Sequence, residues 1–281
     1  MKKILAIVLA VAMIASVAVL AGCGKSGDTK ATEAASKTED KATAEQATAD
    51  QKTVGGTLTM ATNAYFAPYE YYEGEEIVGI DVDVAKAIAD KLGMELKVVD
   101  IEFDSIITGV QTGKYDMGMA GMTVNEERKQ SVDFSDSYAT GIQSVIVKED
   151  SPITSVDDIL AEGATYKVGV QLSTTGDLYI TEDLGDAAAE RVTEFQTGND
   201  AVAALASGKI DAVVIDNEPA KSYVAATAGL KILDTKYIQE DYAICFAKDN
   251  TELKDKVNGA LKELIADGTV QSIIDKYITA K

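Results

Sequence analysis

The sequence contains no histidine and no tryptophan, and its 281 residues include only two cysteines, two arginines and three prolines. Without imidazole there is no Ser-His-Asp triad, no histidine proton relay and no histidine-ligated metal. Cys23 and Cys245 alone make neither a disulfide framework nor a thiolate zinc site. Positive charge is also scarce, with 26 Lys and Arg against 46 Asp and Glu and a net charge of −20. That field repels phosphate backbones and anionic lipid, which argues against nucleic acid as a partner. Carboxylates, hydroxyls, lysines, aromatic rings and two guanidiniums remain to do the chemistry, and neither a metal nor a cofactor is expected. The hydrophobic fraction of 46% and charged fraction of 26% are ordinary for a globular chain. The length suits one large domain or two compact lobes.

Residues 1–22 read as a signal peptide: Lys2 and Lys3 precede an apolar run from Ile4 to Leu20 broken only by Ser16. Such a run nearly spans a bilayer, so a retained anchor is the alternative. Leu20-Ala21-Gly22-Cys23 resembles the bacterial lipobox and favours cleavage with lipidation of Cys23. Residues 24–53 carry almost no large apolar side chain and cannot bury enough surface to fold, so residues 23–53 read as a lipidated, disordered tether. Its reach as a flexible coil is about 30 Å.

From Thr57 onward strand and helix patterns alternate. Strands are expected at Thr57–Thr62, Glu95–Ile101, Tyr115–Ala120, Tyr166–Val170 and Asp211–Ile215, and helices at Asp81–Leu92, Asp104–Thr112 and Asn199–Ser207. This alternation predicts an α/β fold with parallel sheets. Gly113-Lys114-Tyr115-Asp116 is echoed 95 residues later by Gly208-Lys209-Ile210-Asp211, each after a helix and before an apolar strand. The echo argues for two similar lobes, although Gly-Lys is also a common helix stop. Two apolar strands, Ile142–Val147 and Tyr242–Ala247, suit two crossings between lobes. Lobe 1 is then expected at 54–144 and 243–281, with lobe 2 at 145–242.

Open α/β sheets bind ligands beyond the carboxyl ends of their strands. Four clusters fall there: Asn63 to Glu70 with Tyr65 and Phe66, Gly121 to Arg128, Gln171 to Gly176, and Asp216-Asn217. Arg128 in a lysine-rich chain suggests a bidentate carboxylate partner; a surface pair with Glu126, Glu127 or Asp133 is the alternative. Ser173-Thr174-Thr175 suits an anion at a helix N-terminus or plain capping. Asp216 could equally cap the following helix, and Phe66 and Phe103 could be core. Together the clusters complement a zwitterion.

Phe66-Ala67-Pro68-Tyr69-Glu70, Val78-Gly79-Ile80-Asp81-Val82-Asp83, Gly113-Lys114-Tyr115-Asp116, Met122-Thr123-Val124-Asn125-Glu126-Glu127-Arg128 and Val132-Asp133-Phe134-Ser135-Asp136-Ser137-Tyr138 closely resemble the polar amino-acid-binding proteins of bacterial ABC importers. The resemblance runs from about Leu58 to Tyr277. It implies two Rossmann-like lobes joined by two hinge strands, the type II periplasmic binding protein fold, closing on an amino acid. It implies a monomeric, lipid-anchored protein on the extracytoplasmic face of the membrane that delivers its ligand to an ABC permease. By the same resemblance Arg128, Thr123, Thr174 and Thr175 meet the ligand carboxylate, and Asp216 and Gly121 its ammonium. Phe66 and Phe103 sandwich the side chain, with Tyr65 beside them, and Asn63 and Gln171 set selectivity. Binders of cationic amino acids often carry Asp where Asn63 stands, which points to a neutral polar ligand unless Glu70 or Asp104 supplies the charge. Ser173 replaces a common Gly. An enzyme on the same fold, dehydrating a cyclic carboxylate through Asp216 or Glu70, is one competing reading. A receptor-docking amino-acid sensor is another.

Overall fold

The computed structural model describes residues 55–278 apart from Thr235. The signal peptide, Cys23 and the tether lie outside the described residues. In chain order the elements are β1 (Thr57–Thr62), β2 (Tyr65–Phe66), β3 (Glu70–Glu73), β4 (Glu76–Val78), α1 (Ile80–Leu92), β5 (Glu95–Asp100), α2 (Phe103–Gln111), β6 (Met117–Gly118), α3 (Glu126–Ser131) and β7 (Val132–Lys148). They continue as α4 (Val156–Leu160), β8 (Val168–Gln171), α5 (Thr175–Leu184), α6 (Ala188–Arg191), β9 (Val192–Phe195), α7 (Gly198–Ala206), β10 (Ala212–Asp216), α8 (Asn217–Ala226), β11 (Leu230–Ile232), β12 (Gln239–Ala247), α9 (Thr251–Ala266) and α10 (Thr269–Tyr277).

The periodic segments fold as their patterns dictate. In α1, Val84, Ala85, Ile88 and Ala89 recur at 3.6-residue spacing and are fully buried, and the helix stops at Gly93 in the left-handed region. Burying a side chain such as Ile88 contributes about 1.5–3 kcal/mol. Leu58, Met60, Ile88, Phe246, Val257 and Leu261 belong to one core, which brings the C-terminal helix α9 back onto the first half of the sheet. Val145, Val168, Val170, Ile180 and Val214 form a second core in the other half.

Strand order in the main sheet is β5-β1-β6-β12-β7-β10-β8-β9, with β11 on β7. The flanks are parallel as expected, β1 with β5 and β6, β8 with β9 and β10. The centre departs from the expected parallel sheets, because β12 and β10 both run antiparallel to β7. β7 also begins ten residues before the apolar run that announced it. Its first part, Val132 to Ile142, pairs with β12, and its last part, Gln143 to Val147, pairs with β10. One strand thus serves both half-sheets and changes partner at Ile142/Gln143. The expected strand at Tyr115–Ala120 forms a ladder only at Met117–Gly118. Residues 65–78 form a small separate sheet, β2-β3-β4, which the strand patterns had not indicated.

Candidate ligand-binding site

The carboxyl ends of β1, β8 and β10 and the loop after β6 converge on a cavity. Asn63, Phe66, Phe103, Gly121, Thr123, Arg128, Gln171, Thr174, Thr175 and Asp216 all line it, together with Glu70 and Ala120. Tyr65 does not. It is 41% exposed and packs against Tyr72, because the two-residue period of β2 turns Phe66 inward and Tyr65 outward. Its contribution is a backbone oxygen that accepts the Tyr223 hydroxyl at 2.5 Å.

Arg128 is set by α3, a short helix whose N-cap Asn125 accepts the Arg128 N–H at 2.8 Å. The guanidinium is buried, stacks 5.4 Å from the Phe103 ring centroid and donates to Thr123 O at 2.8 Å and Ser173 O at 3.0 Å. Burial lowers its pKa, opposed by Glu240 and Asp216. The surface pairing considered for it does not form: Glu126 pairs with Lys129 and Asp133 with Lys254. Ser173 has φ of 62°, the left-handed conformation that explains why glycine suits this position.

Thr174 caps α5, accepting from Asp177 N at 3.4 Å and donating to Gln171 O at 2.7 Å. Thr175 is buried, with its hydroxyl 3.5 Å from that of Thr123 and 3.4 Å from Gln143 Nε2. Gly121, at φ of 50°, donates its N–H to Asp81 Oδ2 at 2.8 Å, and a Cβ there would lie 2.8 Å from Phe66 Cε1. The amides of Asn63 and Gln171 are occupied. Asn63 Nδ2 donates to Ile101 O and its Oδ1 accepts Gln171 Nε2, both at 2.9 Å.

Asp216 is the N-cap residue of α8 by position, but its side chain makes no capping bond. It accepts the Tyr242 hydroxyl and, at 2.8 Å, Gln143 Nε2. Burial, then the nearby Glu240, push its pKa up to about 7. Glu70 on β3 is 1% exposed and its Oε2 has no hydrogen-bond partner. Burial, then the neighbouring Asp81, raise its pKa well above the usual range. Asp81 is itself raised by burial to about 6, moderated by donors from Gly121 and Tyr138. Among sequence candidates, Asp104 does not line the cavity. Gln143 and Glu240 were missed. Gln143 sat in an apolar run, and Glu240 in the acidic stretch before the strand expected at Tyr242, although the alternating exposure of Gln239 to Tyr242 turns Glu240 inward.

Two half-sheets joined by shared strands, with a polar cavity between them, define an α/β binding protein of the type II periplasmic class. The description of bacterial extracellular solute-binding proteins, family 3, matches residues 58–280, and the chain belongs to that family. It is 37% identical over 231 residues to the arginine-binding extracellular protein ArtP of Bacillus subtilis, covering 80% of this chain and 87% of ArtP. It is 33% identical over 281 residues to the ABC transporter glutamine-binding protein GlnH of the same organism, covering 99% and 98%. Among solved structures, an ancestral arginine-binding protein bound to glutamine matches with a TM-score of 0.75 and 39% identity, over 82% of this chain and all of that one. The chain is therefore an extracellular solute-binding protein and not an enzyme, which removes the dehydratase reading.

Proposed function

We propose that this protein captures a cationic amino acid, L-arginine foremost, between lobes formed by 54–144 with 243–281 and by 145–242, and delivers it to an ABC permease. Lipidation of Cys23 anchors the monomer to the outer face of the cell membrane. Glu70 carries the choice of side chain: a buried acid on the cavity wall with an unpartnered oxygen suits a guanidinium or ammonium. Asn63, which pointed to a neutral ligand, spends its amide on Ile101 and Gln171. Arg128 and the Thr174–Thr175 turn take the ligand carboxylate, Asp216 and the Gly121 carbonyl its ammonium, and the rings of Phe66 and Phe103 its aliphatic stem.

Capture works by closure. Arg128 to Ser173 O, Gln171 to Asn63 and Thr123 to Thr175 join the two sides of the cavity directly. A ligand that touches both sides binds the closed arrangement better and shifts the hinge toward it, which the permease then reads.

Thermal unfolding of the protein, refolded to shed carried ligand, tests this against the twenty amino acids. A ligand at 100 times its Kd adds about 2.7 kcal/mol, a rise of roughly 5–11 °C for a chain of this size. L-arginine should give the largest rise. Glu70→Gln should weaken L-arginine by about 30–150-fold, the cost of unpairing a buried charge, and leave L-glutamine within about threefold. A response confined to neutral amino acids would sink the cationic reading.

A further inference from the structure

Asp216 is bound into a larger unit at the hinge. Gln143 Nε2 donates one proton to Asp216 Oδ2 at 2.8 Å and the other to Glu240 Oε2 at 2.9 Å, so a single amide joins two buried carboxyls. Gln143 is fully buried and Glu240 is 5% exposed, and Glu240 Oε1 has no hydrogen-bond partner. The three residues stand on three strands, β10, β7 and β12. Gln143 is the residue at which β7 turns from pairing with β12 to pairing with β10.

Burial and the neighbouring Glu240 hold Asp216 in this cluster toward its acid form. Arg128 from α3 is the cation that faces both carboxyls, and it already donates to two backbone oxygens. Tyr179 from α5 and Tyr242 from β12 present hydroxyls, while Tyr69 and Glu70 approach Asp216 from the small sheet. A proton on Asp216 therefore competes with the ligand's ammonium for the same carboxyl oxygens.

We propose that Glu240 is a positioning residue of the ammonium site: tied to Asp216 through Gln143, it makes the ligand's ammonium replace a proton in this acid pair and fasten a clasp across the hinge. The step balances: the Asp216 carboxylic acid gives its proton to solvent, and the carboxylate left behind pairs with the ammonium, which stays protonated. Glu240 does not touch the ligand. The proposal rests on the reading of Asp216 as the ammonium partner.

Calorimetric titration with L-arginine in two buffers of different ionisation enthalpy, from pH 5 to 9, counts the protons released. Burial, then Glu240, raise the Asp216 pKa to about 7. Release should therefore approach one proton below pH 6 and vanish above pH 8, with affinity falling about tenfold per pH unit below the break. Glu240→Gln should move that break to lower pH and at least halve the release at pH 7. Gln143→Met leaves both carboxyls but removes the amide donor that lowers the Asp216 pKa, so it should move the break to higher pH, and it carries the test should Glu240→Gln not fold. A variant that binds L-arginine with an unchanged pH profile and proton count overturns the role of Glu240 alone. A wild-type protein that binds no amino acid overturns the functional reading beneath it, and this proposal with it.

Discussion

In the first half of the sheet β6 lies beside β1 with Met117 opposite Met60, and in the second β10 lies beside β8 with Ala212 opposite Val168. The approach to both strands is the same. Gly113 and Gly208, at φ of 71° and 76°, end α2 and α7 by donating to Val110 O at 3.0 Å and Leu205 O at 2.9 Å. Three residues further on, Asp116 accepts the Thr59 N–H and Asp211 the Lys167 N–H, both at 2.7 Å. The halves differ most in chemistry where the strands reach the cavity. Asn63 and Gln171 are counterparts, 108 residues apart, and bond to each other across it. Gly121 and Asp216 are also counterparts, each 95 residues from the other as the glycines are, and one offers bare backbone while the other offers a carboxylate. A repeated scaffold sets the positions; unequal residues at equal positions give the cavity its polarity.

That asymmetry predicts the largest effect. Asp216→Asn removes the acid from the second half and should weaken L-arginine more than about 100-fold, since it unpairs a buried ammonium. Gly121→Ala alters the matching position without touching a charge. Its Cβ meets Phe66 and its φ of 50° strains a side chain, so binding should fall roughly tenfold, with about 1–2 kcal/mol lost in stability. Calorimetric affinities for the two variants decide the matter, and equal losses would mean the ends are not chemically distinct.

The shared approach predicts matched, smaller losses in stability. Asp211→Ala removes the acceptor of the exposed Lys167 N–H and should cost about 0.5–1.5 kcal/mol, or roughly 1–6 °C in melting temperature. Asp116→Ala should cost slightly more, because that carboxylate also accepts the Thr59 hydroxyl at 2.5 Å. Neither should change ligand affinity at a temperature where the protein is folded. An altered affinity would show that the scaffold and the site are not separable.

Much of this plan is legible in the chain because periodicity is local. Val82, Ala85, Ile88, Ala89 and Leu92 mark α1, and the repeated Gly-Lys marks both strand entries. The hinge is harder to read. The first ten residues of β7 are mostly half-buried or exposed, many of them polar, with no regular two-residue period, and register shifts on β12 near Tyr242 break the pattern further. The small sheet consists of two- to four-residue strands, too short to show a period. At the site, Arg128 and Asp216 were found because scarcity and strand-end position draw attention. Glu240 and Gln143 act on another side chain from a strand interior, where a lone acid reads as surface and a lone amide as a spacer. Only the fold shows that both face inward.

The smallest effect concerns the one counterpart pair that meets. Asn63 Oδ1 and Gln171 Nε2 come from opposite halves, so their bond exists only when the cavity is closed over. Asn63→Ala also loses the bond to Ile101 O, and Gln171→Ala the bond to Gln196 O at 3.0 Å, so neither single variant isolates the contact. A double-mutant cycle does. Measured on L-arginine affinity, the coupling should be about 0.5–1.5 kcal/mol, the net value of a neutral hydrogen bond, which is roughly two- to twelvefold. Measured on unfolding of the ligand-free protein it should be smaller, because a hinge that opens gives up this bond before the halves themselves unfold. Equal coupling in both measurements would mean that the halves stay closed without ligand, and that the charges at Arg128, Asp216 and Glu70, rather than closure, carry the affinity.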